Sequence, residues 1–180
     1  YTPYNSFEAS YRLFQTVEYW PKGTTFVSVV DPGVGSSRKS VVALTKTGQY
    51  IVTPDNGTLS YIKKDVGIVA VREISEVENR RSNTELSYTF HGRDVYAYTG
   101  AKLASGHISF EEVGPELPVD KILELPVVET IIEDNLVRGA IDILDVRFGS
   151  LWTSITRDDF YALEPNFGDR FEVTIFNNDM

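Results

Sequence analysis

The sequence predicts an α/β domain with a mostly parallel sheet, followed by a β-rich domain. Three observations carry that expectation. Up to about residue 106, short apolar runs rich in β-branched residues alternate with helical patterns, the signature of strands joined through helices. Glycine, proline, asparagine and aspartate punctuate those runs as turn chemistry requires. After "EEVGPELP" helical periodicity stops and strand-like alternation takes over, which sets a boundary between residues 1–118 and 119–180.

Each element has its own reason. Asn5 followed by Glu8 fits a helix cap with its return partner, and Phe7, Tyr11, Phe14 and Val17 then recur at helical spacing. Pro21 and Gly23 stop that helix. "TTFVSVVD" (24–31) is nearly continuous apolar chain, as expected of a strand covered on both faces. "SVVALT" (40–45) and "YIVT" (50–53) read as strands around a turn at Thr47-Gly48, and "GIVAVRE" (67–73) as another. "PDNG" (54–57) is a turn leading into a short helix. "HGRDVYAYTGAKLASG" (91–106) reads as a helix closed by Gly106. Beyond residue 119 no good helix is expected; 138–155 and 170–176 alternate like strands, with a tight turn at Phe148-Gly149. The chain opens close to a helix and ends inside an expected strand pair, so residues on either side are expected and the second domain is expected to be truncated.

Composition excludes several classes. Cysteine is absent, which removes disulfides and thiolate metal sites, and with only two histidines, His91 and His107, a multi-histidine metal site is nearly excluded. A formal net charge of −9 opposes nucleic-acid binding, which needs a basic face. No apolar run approaches the roughly 20 residues of a bilayer span, and no charged-then-apolar leader opens the chain. The expectation is a cytoplasmic protein with neither nucleic-acid nor membrane partners.

Four stretches carry candidate chemistry. "DPGVGSSR" (31–38) places an acid and a guanidinium seven residues apart in a tight turn; its G-x-G lacks the third glycine of a dinucleotide site and the lysine of a P-loop. A plain turn held by Asp31 is the bland alternative. "TFHGRD" (89–94) puts His91 where a loop enters a helix, with a satisfied structural histidine as the alternative. "TPDNG" (53–57) is ordinary turn chemistry with Asn56 inside it. "DVRFGSLWTS" (145–154) joins Asp145, Phe148, Ser150 and Trp152, either a hairpin with core aromatics or an aromatic slot beside an acid.

Taken together, "WPKGTTFVSVVDPGVGSSRK", "TPDNGTL" and "TFHGRDVYAYTGAKLASG" occur in the order and approximate spacing of one family. The chain resembles the S-adenosyl-L-methionine hydroxide adenosyltransferases, relatives of the fluorinase and chlorinase enzymes, from about residue 7 to 155. The resemblance implies a Rossmann-like N-terminal α/β domain and a barrel-like C-terminal domain. It implies a homotrimer holding S-adenosylmethionine between subunits, and hydrolysis of that substrate to adenosine and L-methionine without cofactor or metal. It places the catalytic set on Asp31, Arg38 and His91. Asp145 would meet the methionine amino group, and Phe148 and Trp152 would flank the adenine. Ser150 stands where the family has asparagine, a side chain with more donors and acceptors; Thr89, Phe90 and Asn56 complete the implied substrate contacts. The halogenating relatives lack the charged set and carry an extra loop not seen between 39 and 88. A halide-using transferase and a binding module without turnover remain the alternatives.

The chemistry suits those residue types. The sulfonium on C5′ is already a good leaving group, so the demand falls on the nucleophile, water. A nearby guanidinium favours hydroxide over water, and a histidine of ordinary pKa about 6.5 is a plausible proton acceptor.

Overall fold

The structure is a computed structural model that describes residues 2–176. It divides into two compact units, one running to Val127 and the other starting at Val128.

The first unit is a mixed five-stranded sheet with helices on both faces. The first helix, α1 (Ser6–Val17), leads to β1 (Thr25–Val27), β2 (Ser40–Thr45), β3 (Tyr50–Pro54), β4 (Ile68–Glu73), the single turn α2 (Glu76–Asn79), α3 (Tyr98–Ala104) and β5 (Glu116–Leu117). The strand order is β1-β3-β2-β4-β5. Only β1 and β3 run parallel; β3–β2, β2–β4 and β4–β5 are antiparallel. This corrects the mostly parallel sheet expected above. The misleading signal was the alternation of strand and helical patterns: β2 and β3 are joined directly by the turn at Thr47-Gly48, and β4 returns antiparallel to β2. Side chains of Val41 and Ala43 enter one core cluster and Val42 the other, so β2 is covered on both faces. Burial on both faces produces a continuous apolar run whichever way the neighbours run, and parallel strands are only its commonest cause.

One core lies under α1. Leu13 and Val17 pack there with Val41, Ile51, Ile62 and Val71. Phe7, Tyr11 and Phe14 set their rings 5.6, 5.1 and 6.1 Å from that of Tyr61. The Asn5 side chain caps the helix by accepting from Glu8 N–H at 3.0 Å, while the Glu8 carboxylate turns away from the expected reciprocal bond and accepts from Thr2 N–H. The other core lies under the helix of the second half, where Val95, Tyr96 and Leu103 pack on Val42 and Val52. This helix begins as a π-helical segment, Gly92–Ala97, and continues as α3. Its close seat on β1 is permitted by Gly100: a Cβ there would stand 2.6 Å from Cγ2 of Val27. A second π-turn, Ile62–Val66, fills the helical stretch expected after "PDNG".

β1 is shorter than the run 24–31. Its ladder ends at Val27↔Val52, with one further bond from Ser28 N–H to Val52 C=O, and it lies at the sheet edge. The chain leaves the ladder there and carries Asp31 beyond the strand ends.

The second unit has two hairpins, β6 (Ile131–Glu133) with β7 (Leu136–Arg138), and β8 (Ile141–Asp145) with β9 (Ser150–Thr153). Among the described residues no closed barrel forms. A short helix, α4 (Arg157–Tyr161), corrects the expectation of none. Its N-terminus is a reciprocal capping box between Thr156 and Asp159, a Thr-x-x-Asp version of the usual Thr-x-x-Glu signal. Residues 170–176 form no strand: an alternating pattern becomes a strand only when a ladder partner is present, and Val173, Ile175 and Phe176 lie exposed instead. Among the described residues no helix is long and apolar enough to cross a membrane.

Candidate active site

Two local features bring the first three candidate residues together. The loop 31–39 folds back on itself through turns closed by Val34 N–H to Asp31 C=O (3.3 Å) and Ser36 N–H to Gly33 C=O (3.0 Å). Gly35 takes φ +79°, a left-handed conformation that a Cβ would strain. The loop thus returns Arg38 to Asp31. Arg38 Nε donates to Oδ1 at 2.8 Å, and its Nη2 forms a close ion pair with Oδ2. Both side chains are nearly buried, 10% and 5% exposed, so the bidentate pair is rigid and charge-assisted. Arg38 Nη1 donates to Ser40 Oγ at 3.1 Å, and Ser40 in turn donates to the Tyr96 hydroxyl at 2.9 Å. The Arg38 guanidinium lies 5.5 Å from the Tyr96 ring centroid. Burial pushes the Tyr96 phenol well above its usual range, so it remains protonated.

His91 reaches the same place from the start of the π-helical segment. Its Nδ1 lies 3.5 Å from Arg38 Nη2. The acid, guanidinium and imidazole therefore converge, although 53 residues separate Arg38 from His91. His91 is 5% exposed. Burial holds its pKa below the usual histidine range; Arg80 and Arg38 act in the same direction, against Glu76 and Asp31. The ring is thus held neutral, and the base expected at about 6.5 is weakened here.

A cleft of about 280 Å³ opens beside this cluster, lined by Val29, Asp31, Val34, Thr89, Phe90, Gly92 and Arg93. Thr89 and Phe90 are therefore cleft residues, and Asp31 is the member of the charged set on its wall. Phe90 is 54% exposed and has the Arg93 guanidinium 4.9 Å from its centroid.

Asn56 is committed elsewhere. Its amide nitrogen donates to Val30 C=O at 2.7 Å, and its oxygen accepts from Thr58 N–H and Oγ1. It braces the β1 exit against the β3 turn. Neighbouring Asp55 accepts from Leu123 N–H at 2.8 Å, and burial raises its pKa.

The remaining candidates belong to the second unit. Asp145 faces Ser150 across the β8–β9 ladder, and Phe148, 82% exposed, sits in the turn between them. Trp152 pairs with Ile143. The hairpin thus groups an acid, a hydroxyl and two aromatic rings. Among the described residues no group of three His, Asp or Glu side chains is arranged to hold a metal ion.

One participant had no sequence signal. Arg80 Nη2 lies 2.9 Å from His91 Nε2, and its side chain is 6% exposed. In "ENRRSN" it reads as part of a solvated charged stretch.

Comparison with known proteins places the chain in a family. Residues 1–114 match the model of the SAM hydroxide adenosyltransferase N-terminal domain. An (R)-S-adenosyl-L-methionine hydrolase from Methanocaldococcus jannaschii is 36% identical over 157 residues, covering 87% of this chain and 52% of that protein. A fluorinase from Actinopolyspora mzabensis is 25% identical over 196 residues, covering 96% and 64%. The crystal structure of an uncharacterized conserved protein from Thermotoga maritima superposes with a TM-score of 0.86 at 37% identity, covering 94% of this chain and 62% of that one. The chain spans about half the length of the hydrolases it matches. With residues 1–114, more than half of the chain, matched by the family model, the chain belongs to the SAM hydroxide adenosyltransferase family.

Proposed function

We propose that this protein hydrolyses S-adenosyl-L-methionine to adenosine and L-methionine by attack of water on the ribose C5′. The observation that carries the reading is the Asp31–Arg38 pair set against His91, with Asp31 on the wall of a cleft. It is supported by the similarity to proteins named (R)-S-adenosyl-L-methionine hydrolase.

The reaction is an in-line displacement. The water oxygen forms the new bond to C5′ as the C5′–S bond breaks, and the bonding pair leaves on sulfur, turning a sulfonium into a neutral thioether. One proton must then leave the former water. Its acidity rises steeply as the oxygen bonds to carbon and gains positive charge, so a carboxylate is base enough. Asp31, on the cleft wall, is the acceptor we assign; His91 has its Nε2 faced by the Arg80 guanidinium at 2.9 Å, so that nitrogen is not free to take the proton. Arg38 keeps the Asp31 carboxylate oriented and supplies a fixed positive charge beside the developing oxygen. Excluding bulk water and fixing the attacking one in line supplies much of the remaining acceleration. Sulfonium departure needs no metal or cofactor, so S-adenosylmethionine is substrate alone.

Thr89 and Phe90 would contact the nucleoside end from the cleft, with Asn56 supporting the loop. We assign Asp145, Phe148, Ser150 and Trp152, in the part beginning near residue 119, to the other half of the substrate site. In this reading the protein works as a cytoplasmic homotrimer in which one subunit's half-site meets its neighbour's.

The test is incubation of the full-length protein with S-adenosylmethionine in H₂¹⁸O, with chromatography and mass detection. Labelled adenosine and methionine in equal amounts are expected. Formation of 5′-chloro-5′-deoxyadenosine in chloride buffer would favour the halide reading, and tight binding without methionine release would favour a binding module. A monomer that sediments alone at micromolar concentration and keeps full activity would remove the trimer.

A further inference from the structure

Arg80 is the buried guanidinium that the proposed reaction leaves without a role. It follows α2 directly. Its Nη2 binds the Glu76 carboxylate at 2.5 Å and approaches His91 Nε2 at 2.9 Å. Its Nη1 donates toward the carbonyls of Thr84 (3.4 Å) and Ser87 (3.3 Å), and its guanidinium lies 5.7 Å from the Tyr88 ring centroid. These contacts tie down the segment that ends in Thr89 and Phe90 of the cleft.

The proton inventory around His91 decides what this arrangement does. A guanidinium has N–H donors and no acceptor, whereas a neutral imidazole has one N–H and one lone pair. His91 faces a guanidinium on each side: Arg80 at 2.9 Å from Nε2 and Arg38 at 3.5 Å from Nδ1. Two N–H groups cannot point at each other at the shorter distance, so Nε2 is the acceptor and the ring proton sits on Nδ1. That is the opposite of the Nε2–H form favoured by free histidine in water. The longer gap on the Nδ1 side leaves its N–H to donate beside the Asp31–Arg38 pair.

Resting on the hydrolase reading above, we propose that Arg80 is a positioning residue: it locks His91 as the neutral Nδ1–H tautomer, so that the ring offers a hydrogen-bond donor, not a base, at the site of the attacking water. Glu76 holds Arg80 in turn. The charged and titratable groups facing the ring are Arg80 and Glu76 from α2 and its end, Arg38 and Asp31 from the returning loop, and the Tyr88 ring, edge-on at 6.0 Å.

The test exploits the fact that the chain has only two histidines. Long-range ¹H–¹⁵N correlation spectra of the full-length protein without substrate read each ring's tautomer directly, and His107→Gln assigns the pair. The expected wild-type result is Nδ1 protonated and Nε2 bare at neutral pH. In Arg80→Met the ring should move toward the Nε2–H form, and its pKa should rise, because a neighbouring positive charge is gone while Glu76 remains. Arg80→Lys, which keeps a donor, should retain the wild-type tautomer. With one aimed donor lost, kcat for adenosine release in Arg80→Met should fall on the order of a hundred-fold, with KM changing far less and with recovery in Arg80→Lys. A wild-type His91 protonated on Nε2, or charged at neutral pH, overturns the proposal whether or not any variant folds. So does an Arg80→Met spectrum with an unchanged tautomer, or unchanged kcat in a hydrolytically active protein. Absence of adenosine release by the wild type would instead sink the hydrolase reading, while the tautomer measurement would still stand by itself.

Discussion

Replacing Arg38 by alanine separates what the charged loop does for folding from what it does for chemistry. In the native protein the Arg38 and Asp31 side chains are 10% and 5% exposed and share two hydrogen bonds. Truncation leaves the Asp31 carboxylate buried without its cation and removes the donor to Ser40 Oγ. Breaking a buried pair from one side costs about 3–5 kcal/mol. For a chain of this size each kcal/mol lowers Tm by roughly 2–4 °C, so a fall of roughly 6–20 °C is expected in thermal unfolding. The double variant Asp31→Asn/Arg38→Met, which removes both charges of the pair, should recover most of that loss, because the penalty lies in the orphaned ion. Activity should behave differently. In the proposed reaction Arg38 acts on charge that develops in the transition state and on the carboxylate that takes the proton, so Arg38→Ala should lower single-turnover adenosine release on the order of a hundred-fold or more. Equilibrium binding of S-adenosylmethionine should weaken far less, since only interactions stronger in the transition state raise turnover. The stable double variant should remain inactive. Turnover within a few-fold of wild type in Arg38→Ala, measured below its Tm, would refute the reasoning and make "DPGVGSSR" a structural turn.

Three further outcomes follow from the same geometry. His91 has a folded pKa below its unfolded value of about 6.5; the unfolded chain therefore binds the extra proton first, and stability is lost as pH falls below about 6.5. Unfolding of His91→Gln between pH 7.5 and 5.5 should lack that component, and identical pH slopes for the two proteins would contradict it. Gly100→Ala forces a Cβ to within 2.6 Å of Val27 Cγ2 and should destabilise by about 1–3 kcal/mol; denaturant unfolding with an unchanged midpoint would show that the helix does not sit so close. Phe148→Ala removes a ring that is 82% exposed, so Tm should hold while KM for S-adenosylmethionine rises; a large fall in Tm with KM unchanged would make the ring structural.

Much of the first unit was legible in the chain because burial imposes a pattern on it. β2, β3 and β4 lie where apolar runs bounded by turn residues placed them, and the helix closed by Gly106 ends with His107 N–H bonded to Lys102 C=O. The loop of Asp31 and Arg38 was legible for a local reason: a guanidinium seven residues from an acid, with a glycine free to take positive φ between them, has a short path back to it. Strand direction was not legible. Periodicity records which faces of a strand are covered and is silent on which way its neighbour runs, so antiparallel β2, sandwiched between two cores, had the pattern of a parallel strand. The β1 run likewise predicted burial that only a central strand has, whereas its ladder ends at Val27. Arg80 shows the limit most clearly. Nothing in "ENRRSN" distinguishes it from the arginine beside it. Its burial, and the contact that selects the proton position on His91, exist only because α2 and the π-helical segment meet in space. Sequence determined which chemical groups were available to this site and, through the tight loop, paired two of them. Tertiary packing alone decided which nitrogen of His91 carries the proton, because hydrogen-bond complementarity acts between groups that the chain separates and only the fold brings within reach.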